Sequence, residues 1–415
     1  MESADVVIIG AGLAGLCCAR RLLEARVSFL LVEASDEVGG RVRTDRVEGF
    51  LLDRGFQVLL TAYPEAQKML DYRALDLRAF EPGALVHLEN RFSRVSDPWR
   101  RPGRALEALV SEIGTLSDKL RVGWLRQRVC RGSAEDAFGG PEMRTIDFLQ
   151  RSGFSPNIIE RFFRPFLGGI FLERELRTPA SMLRFVFRML ARGDVSIPAR
   201  GMGQIPNQLA STLPSRSIRK GAKVASIGKD RVILCGGEEI AARSIVLATE
   251  GPEAGRLLGE DSRGSRSVTC LYFAADSAPV TEPILVLNGE GEGPVNNLCV
   301  PSILSPELAP AGAALISATV LDHENLTREQ IEASTRDQFV RWFGRAARGW
   351  RLLRVYRIPH AQPNPSVARP RRELRVAPNL YVCGDHCTHA SIEGAMVSGR
   401  MAAEAVLADL IEQFA

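Results

Sequence analysis

Gly10, Gly12 and Gly15, in the run Gly10-Ala11-Gly12-Leu13-Ala14-Gly15, and Glu33 further along have a spacing suited to holding a dinucleotide. Gly10 permits a tight turn. Gly12 lets a pyrophosphate approach the backbone with no Cβ in the way, and Gly15 allows a helix to pack closely on a strand. Leu13 and Ala14 open that helix, whose N-terminal N–H groups and positive dipole end face the phosphates. Glu33, with Ala34 beside it, falls about 20 residues beyond the turn, placed to accept hydrogen bonds from an adenosine ribose. A carboxylate there repels a 2′-phosphate, which disfavours NADP. These residues alone do not separate NAD from FAD.

The elements that must hold them are readable nearby. Residues 5–9 read as a buried strand, 16–25 as a helix, and VSFLLVE as a second strand ending on Glu33. Residues 221–227 and 231–234 read as paired strands, and 241–249 as a strand rejoining the first sheet. Towards the end, 379–385 is a short strand running into Gly384-Asp385. Ser391 is placed to cap a final helix, with Glu393 in its first turn. Just past Glu33, Gly39-Gly40-Arg41-Val42 adds a glycine pair and an arginine whose fork suits a phosphate, while Arg43 is either cofactor-touching or solvated.

The spacing from Glu33 to Gly39-Gly40-Arg41, and the later run from Gly384-Asp385 through Ser391 to Glu393-Gly394-Ala395, resemble the two fingerprints of the flavin-containing amine oxidase superfamily. The resemblance implies FAD, bound non-covalently, because the cysteine that attaches flavin in some members has no counterpart. It places Gly39, Gly40, Arg41 and Val42 along the pyrophosphate and ribityl chain, with Gly384 and Asp385 on the same groups. It turns the N–H groups near Gly394, Ala395 and Met396, in the turn that Ile392 and Glu393 open, towards the flavin O2 edge. It also sets the Val224 backbone at the adenine, and Ala248, Thr249, Gly55, Phe56 and Gln57 around the cofactor. A second glycine fingerprint for NAD(P)H is absent.

Within the superfamily, residues 52–64 are similar to a stretch of plant-type carotenoid desaturases, with Gln57 in place of their histidine, and 355–363 is similar to the segment before their terminal fingerprint. Residues 165–172 resemble protoporphyrinogen oxidases. Amine oxidation is disfavoured: Thr269 is expected where amine oxidases place a lysine, Ser391 where they place a cage tyrosine, and no lysine follows Lys229.

The 415 residues are 45% hydrophobic and 25% charged, enough for two or three lobes. Net charge is +4, and arginine supplies nearly all the basic residues; the density between Arg91 and Arg131 reads as genome composition or as a surface for an anionic partner. Neither a nucleic-acid module nor a cysteine–histidine metal pattern is present. Eight scattered cysteines read as reduced, which with the acidic first residues points to the cytoplasm, or to a position peripheral to a membrane. His360, His386 and His389 lie near the cofactor motifs and read first as structural, and Cys383 and Cys387 as packed or reduced thiols.

The fold expected is α/β: a glutathione-reductase-like, Rossmann-type FAD domain from residues 1–79, 201–260 and 351–415. A helical substrate insertion at 80–200 and a mixed-sheet part at 261–350 complete it. Phe162, Phe163, Phe166, Phe171, Phe185 and Phe187 read as core or as an apolar tunnel. The expected activity is hydride abstraction from a lipophilic, polyene-like substrate, with oxygen or a quinone reoxidising the flavin. Alternatives are protoporphyrinogen-oxidase-like or amine oxidation, a non-redox isomerase or mutase, and a non-catalytic FAD platform. No residue is assigned as catalytic, and the oligomeric state stays open.

Overall fold

The computed structural model describes residues 2–104, 112–140, 142–261, 264–321, 325–365 and 373–412. An eight-stranded sheet is built from β1 (Glu2–Ile9), β2 (Phe29–Val32), β10 (Ile218–Arg219), β11 (Val224–Ile227), β12 (Arg231–Leu234), β13 (Glu239–Leu247), β19 (Arg375–Ala377) and β20 (Leu380–Val382). Its spine is parallel, in the order β10-β2-β1-β13-β20, with Val7 opposite both Leu30 and Ile245, and Leu247 opposite Val382. The second half of β1, Val6–Ile9, is an unbroken apolar run because both its faces are covered: Val6, Val7 and Ile8 are fully buried. Helix α1 (Leu13–Glu24) follows β1 immediately. The dinucleotide-binding architecture expected from the motifs is the one observed.

A seven-stranded sheet forms the second layer, in the order β18 (Arg351–Pro363), β14 (Ser265–Ala275), β17 (Ala314–Val320), β16 (Val295–Cys299), β15 (Leu285–Asn288), β7 (Gly83–Leu88), β8 (Arg91–Ser96). It is antiparallel except where β15 runs parallel to β7. Two segment boundaries read from the sequence therefore shift. Strands β7 and β8 lie inside 80–200 yet complete this sheet, and β18 lies beyond 351 yet forms its edge. The Pro-rich stretch from 359 onwards, whose sequence suggests an exposed connection, begins as the end of β18, where Gln362 and Pro363 pair with Arg266 and Ser265. Residues 366–372 of that connection, and 105–111 of the expected insertion helix, lie outside the described residues.

Two small sheets join the layers: β3 (Thr44–Val47) with β4 (Phe50–Asp53), and β5 (Leu59–Leu60) with β9 (Val195–Pro198) and β6 (Leu77–Ala79). The helices that position the site are α2 (Pro64–Met69), α3 (Leu116–Val129), α4 (Ala180–Arg192), α5 (Arg328–Phe343) and α6 (Ile392–Glu412). Helix α6 lies against α1 so closely that a Cβ at Gly399 would come 2.0 Å from the Ala14 carbonyl oxygen. The main core joins α1, α4 and the residue 154–171 stretch to the inner face of the second sheet, and α5 covers that sheet's other face.

Candidate functional site

The glycine turn is shaped by what surrounds it. Gly10 adopts φ +105°, and a Cβ there would meet the Ala248 carbonyl at 2.9 Å; one at Gly15 would meet the Gly10 carbonyl at 1.9 Å. Gly12 differs, because nothing lies within 4 Å of where its Cβ would be. Gly40 stands across that space, the nearest heavy atom to its own Cβ position being the Gly12 Cα at 3.5 Å. The first turn of α1 carries no side-chain cap and no acid. Its orphan N–H groups therefore face open room, as an anion requires. Leu13 and Ala14 are buried, so only their backbone is on offer.

Glu33 ends up beside this turn. Its carboxylate accepts from the Ala11 N–H at 2.7 Å, the Ser35 N–H at 2.9 Å and the Ser35 hydroxyl at 2.7 Å. Three of roughly four acceptor positions are thus filled, which fixes the group and leaves one for a ribose hydroxyl. Ala34 next to it is exposed. At the end of β13, Ala248 packs against the turn, and the hydroxyl of Thr249 is buried with no partner. A buried hydroxyl without a partner is what a cofactor contact would satisfy. Val224 sits in β11 with its carbonyl already accepting from Arg256 at 3.1 Å.

The two fingerprints meet at one ion pair. Arg41 donates to Asp385 at 2.7 Å and to the Ala361 carbonyl at 2.8 Å. Burial works against the guanidinium charge, but Asp385 outweighs it and the pKa of Arg41 is raised. Gln57 donates to the Arg41 and Arg54 carbonyls at 2.9 and 3.2 Å, pinning the loop that carries the arginine. Val42 is buried, donating to the Gly39 carbonyl at 2.9 Å. Arg43 pairs with the exposed Asp36 at 3.0 Å. Gly384 takes φ +144° and donates to Ser398 at 3.0 Å. Arg41, Asp385, His386, His360, Ser265 and Glu250 share one narrow cavity, in which Ser265 meets His360 Nδ1 at 2.5 Å. Gly55, at φ +92°, turns the chain under Ile358, and Phe56 packs edge-on to Phe80.

At the head of α6, Ser391 caps as its position suggested: its hydroxyl accepts the Gly394 N–H at 2.9 Å and lies 2.9 Å from His389 Nδ1. His389 stacks on Phe138 at 4.9 Å and packs against Phe185 at 4.7 Å, which in turn stacks on Tyr63. The head of the helix thus abuts aromatic side chains from the insertion. Ile392 and Ala395 fall in the first turn, where the Ala395 N–H closes on the Ser391 carbonyl. The Glu393 side chain is engaged elsewhere. Its carboxylate accepts from the Glu65 and Ala66 N–H groups at 2.8 and 3.2 Å, capping α2, while Arg400 holds Glu65 at 2.8 Å. Burial pushes the Glu393 pKa up to about 7 despite those hydrogen bonds. This cap was not foreseen; the available signal was α2 itself, which starts Tyr63-Pro64 with no Ser, Thr, Asp or Asn to cap it.

Strand β14 corrects one placement. Its residues alternate: Cys270, Tyr272 and Ala274 join the core on the cofactor side, and Leu271, Phe273 and Ala275 join the core under α5. Thr269, opposite Val320, therefore faces α5. The neighbouring position that faces the main core is Cys270, and neither it nor Thr269 is a lysine. Burial pushes the Cys270 thiol up to about 11 and lifts Tyr272 and Cys299 well above their ordinary values. Asp53, buried beneath them with Thr44 at 2.5 Å and the Met202 N–H at 2.9 Å, is raised to about 6 by burial. Cys270, Tyr272 and Cys299 thus stay neutral, and Asp53 behind them is the one ionisable exception among the groups named on this face. Cys383 and Cys387 are buried and not joined in a disulfide, and burial keeps the Cys383 thiol protonated. Among the described residues no group of three or more His, Cys, Asp or Glu could hold a metal ion.

A family model described as flavin containing amine oxidoreductase matches residues 13–407. Coproporphyrinogen III oxidase of Propionibacterium freudenreichii subsp. freudenreichii is 25% identical over 388 residues, 76% of this chain and 72% of that one. Protoporphyrinogen oxidase 2, chloroplastic/mitochondrial, of Arabidopsis thaliana is 26% identical over 171 residues, 40% of this chain and 32% of that one. Among solved structures, an oxidoreductase from Methanosarcina mazei superposes with a TM-score of 0.75 at 18% identity, covering 97% of this chain and 100% of that one, a likeness of fold.

Proposed function

The chain belongs to the flavin-containing amine oxidoreductase family, and on that premise we propose that it is an FAD-dependent dehydrogenase of a lipophilic substrate, a porphyrinogen or a polyene, rather than of an amine. The observation that carries this reading is the flavin-side face of β14. Where amine chemistry would want a basic side chain, Cys270 and Tyr272 stand buried and neutral, and Ser391 is engaged in capping α6. Such a wall suits a substrate whose C–H bond must be positioned and desolvated, and it places no strong base beside it.

When bound, FAD supplies the hydride acceptor. The open room at Gly12 and Gly40, the fixed carboxylate of Glu33, the unpartnered Thr249 hydroxyl and the Arg41–Asp385 pair fit its phosphates and sugars. Binding is non-covalent in this reading, since the thiols near the second fingerprint are buried and Cys383 stays protonated. The N-terminus of α6 favours negative charge gathered at the reduced ring. The substrate would lose a hydride to the bound FAD and a proton to solvent, gaining a double bond, and the two electrons would pass on to oxygen, giving hydrogen peroxide, or to a quinone, giving a quinol. The similarity to coproporphyrinogen III oxidase over 76% of the chain favours a porphyrinogen as first candidate, and a polyene stands second on the 52–64 stretch.

Anaerobic bleaching of the flavin absorbance tests this, with a porphyrinogen, a detergent-dispersed polyene and a primary amine compared side by side. Bleaching by the porphyrinogen or the polyene, with the amine inert, is expected. Fastest bleaching by the amine would overturn the reading.

A further inference from the structure

Helix α3 carries apolar side chains on its outward face as well as on its buried one. Leu125 and Val129 face the core together with Asp118, which is tied down by Thr115 and Ser155. The outward face carries Leu116, Leu120 and Trp124, four residues apart in each step and 60%, 69% and 54% exposed. Trp99 lies alongside, half exposed, its ring against Gly123 and under the Arg126 guanidinium at 5.2 Å. Four of the seven exposed large hydrophobic residues among those described therefore share this one surface. Cations border it on both sides: Lys119 and Arg126 on one flank, Arg128, which lies over Trp124 at 5.1 Å, on the other. The helix has no exposed acid, since its single carboxylate is the buried Asp118.

We propose that this face docks on a lipid bilayer bearing anionic headgroups. Leucines and tryptophans in an exposed row, with cations at the edges, match the apolar interior and charged rim of a membrane surface. The helix is about 21 Å long, enough to lie in the interface and too short to span it. Among the described residues no helix is long and apolar enough to cross a membrane, so the attachment is peripheral. The patch is also one helix from the site. Arg188 of α4 donates to the Val129 and Arg131 carbonyls at 2.7 and 2.9 Å, and Phe185 of the same helix packs on His389. A lipophilic substrate dissolved in the bilayer would thus enter through this lobe, a clause that rests on the function proposed above.

Vesicle flotation of the FAD-loaded protein tests the docking without any turnover, so its failure is separate from a failure of the proposed reaction. The wild type is expected to float with phosphatidylcholine–phosphatidylglycerol vesicles, less with phosphatidylcholine alone, and less again at high salt. Leu120→Glu/Trp124→Glu should lower partitioning roughly tenfold or more, and Lys119→Gln/Arg128→Gln should remove most of the preference for anionic lipid. Ile411→Glu, exposed at the far end of α6, is the control expected to float as wild type. Flavin absorbance and Tm report that each variant is folded. Wild type that stays with the pellet, or a Leu120→Glu/Trp124→Glu protein that floats normally, overturns the proposal. So does a wild type that binds no vesicle and dimerises through this face, becoming monomeric in that variant.

Discussion

Arg41 and Asp385 stand 344 positions apart in the chain and 2.7 Å apart in space, so one ion pair joins the two fingerprints. Asp385 is buried while Arg41 keeps partial exposure, and the Glu250 carboxylate adds to the field on the guanidinium. Asp385→Asn keeps the shape and removes the charge that offsets burial of the guanidinium. Arg41→Lys keeps the charge and loses the fork. FAD affinity, read by fluorescence titration of stripped protein, is expected to fall roughly tenfold or more in each. The double variant should lose less than the sum, because both changes remove one shared interaction. Identical affinities in all four proteins would refute the pairing's role.

Two glycines separate cofactor room from packing room. Gly12 has φ −74° and ψ −178°, which alanine adopts freely, and open space where a Cβ would go. Gly12→Ala should leave the flavin-free protein within about 1 kcal/mol of wild type, the cost of a poorer helix cap. Its affinity for FAD should nonetheless drop sharply. Gly399→Ala should do the reverse, prising α6 from α1 at the Ala14 carbonyl and costing about 1–3 kcal/mol. Denaturant melts of stripped protein, beside FAD titrations, distinguish the two. A Gly12→Ala protein with normal FAD affinity would contradict the assignment of that space to the pyrophosphate.

Glu393 gives stability a pH signature. In the fold its pKa is pushed up to about 7 by burial, against an ordinary 4.5. Between those values the folded state holds a proton that the unfolded state has lost, so stability falls as pH rises across the window and levels off above it. Glu393→Gln removes the titration while keeping a carbonyl oxygen to cap α2. The stability of wild type relative to this variant should therefore decline by on the order of 3 kcal/mol from pH 4.5 to pH 7. Tm measured at several pH values checks it: parallel profiles for the two proteins would exclude the shift.

The legible part of the molecule was the part where backbone conformation dictates residue type. Gly10, Gly15 and Gly384 stand where a Cβ would collide, and the Val6–Ile9 half of β1 is apolar because it is covered on both faces. Those constraints are local and leave a trace in one sequence. The illegible part depended on partners distant along the chain. Glu393 reads as a cofactor-motif acid until Glu65 and Ala66, more than 300 residues earlier, are seen beneath it. Strands β7 and β8 look like part of a helical insertion because their neighbour β15 lies about 200 residues ahead. Thr269 was displaced by a register of one, which in a strand reverses the face and so the meaning of the residue.

That reversal supplies a test of the site's chemistry. Thr269 is fully buried on the α5 side, and Cys270 is fully buried on the cofactor side, its thiol 3.4 Å from the Ser317 hydroxyl. Thr269→Val removes a buried hydroxyl on the α5 side, so the rate of flavin reduction should stay within about twofold while Tm falls. Cys270→Lys puts a cation of ordinary pKa near 10 on the main-core face of β14, which the proposed function sets beside the flavin. Desolvation should push that ammonium towards its neutral form, and flavin reduction by the natural substrate should slow roughly tenfold or more. Stopped-flow absorbance, with flavin content as the check on folding, measures both. Should Thr269→Val slow reduction and Cys270→Lys spare it, the face assignment of β14 is wrong, and with it the neutral wall on which the proposed substrate class rests.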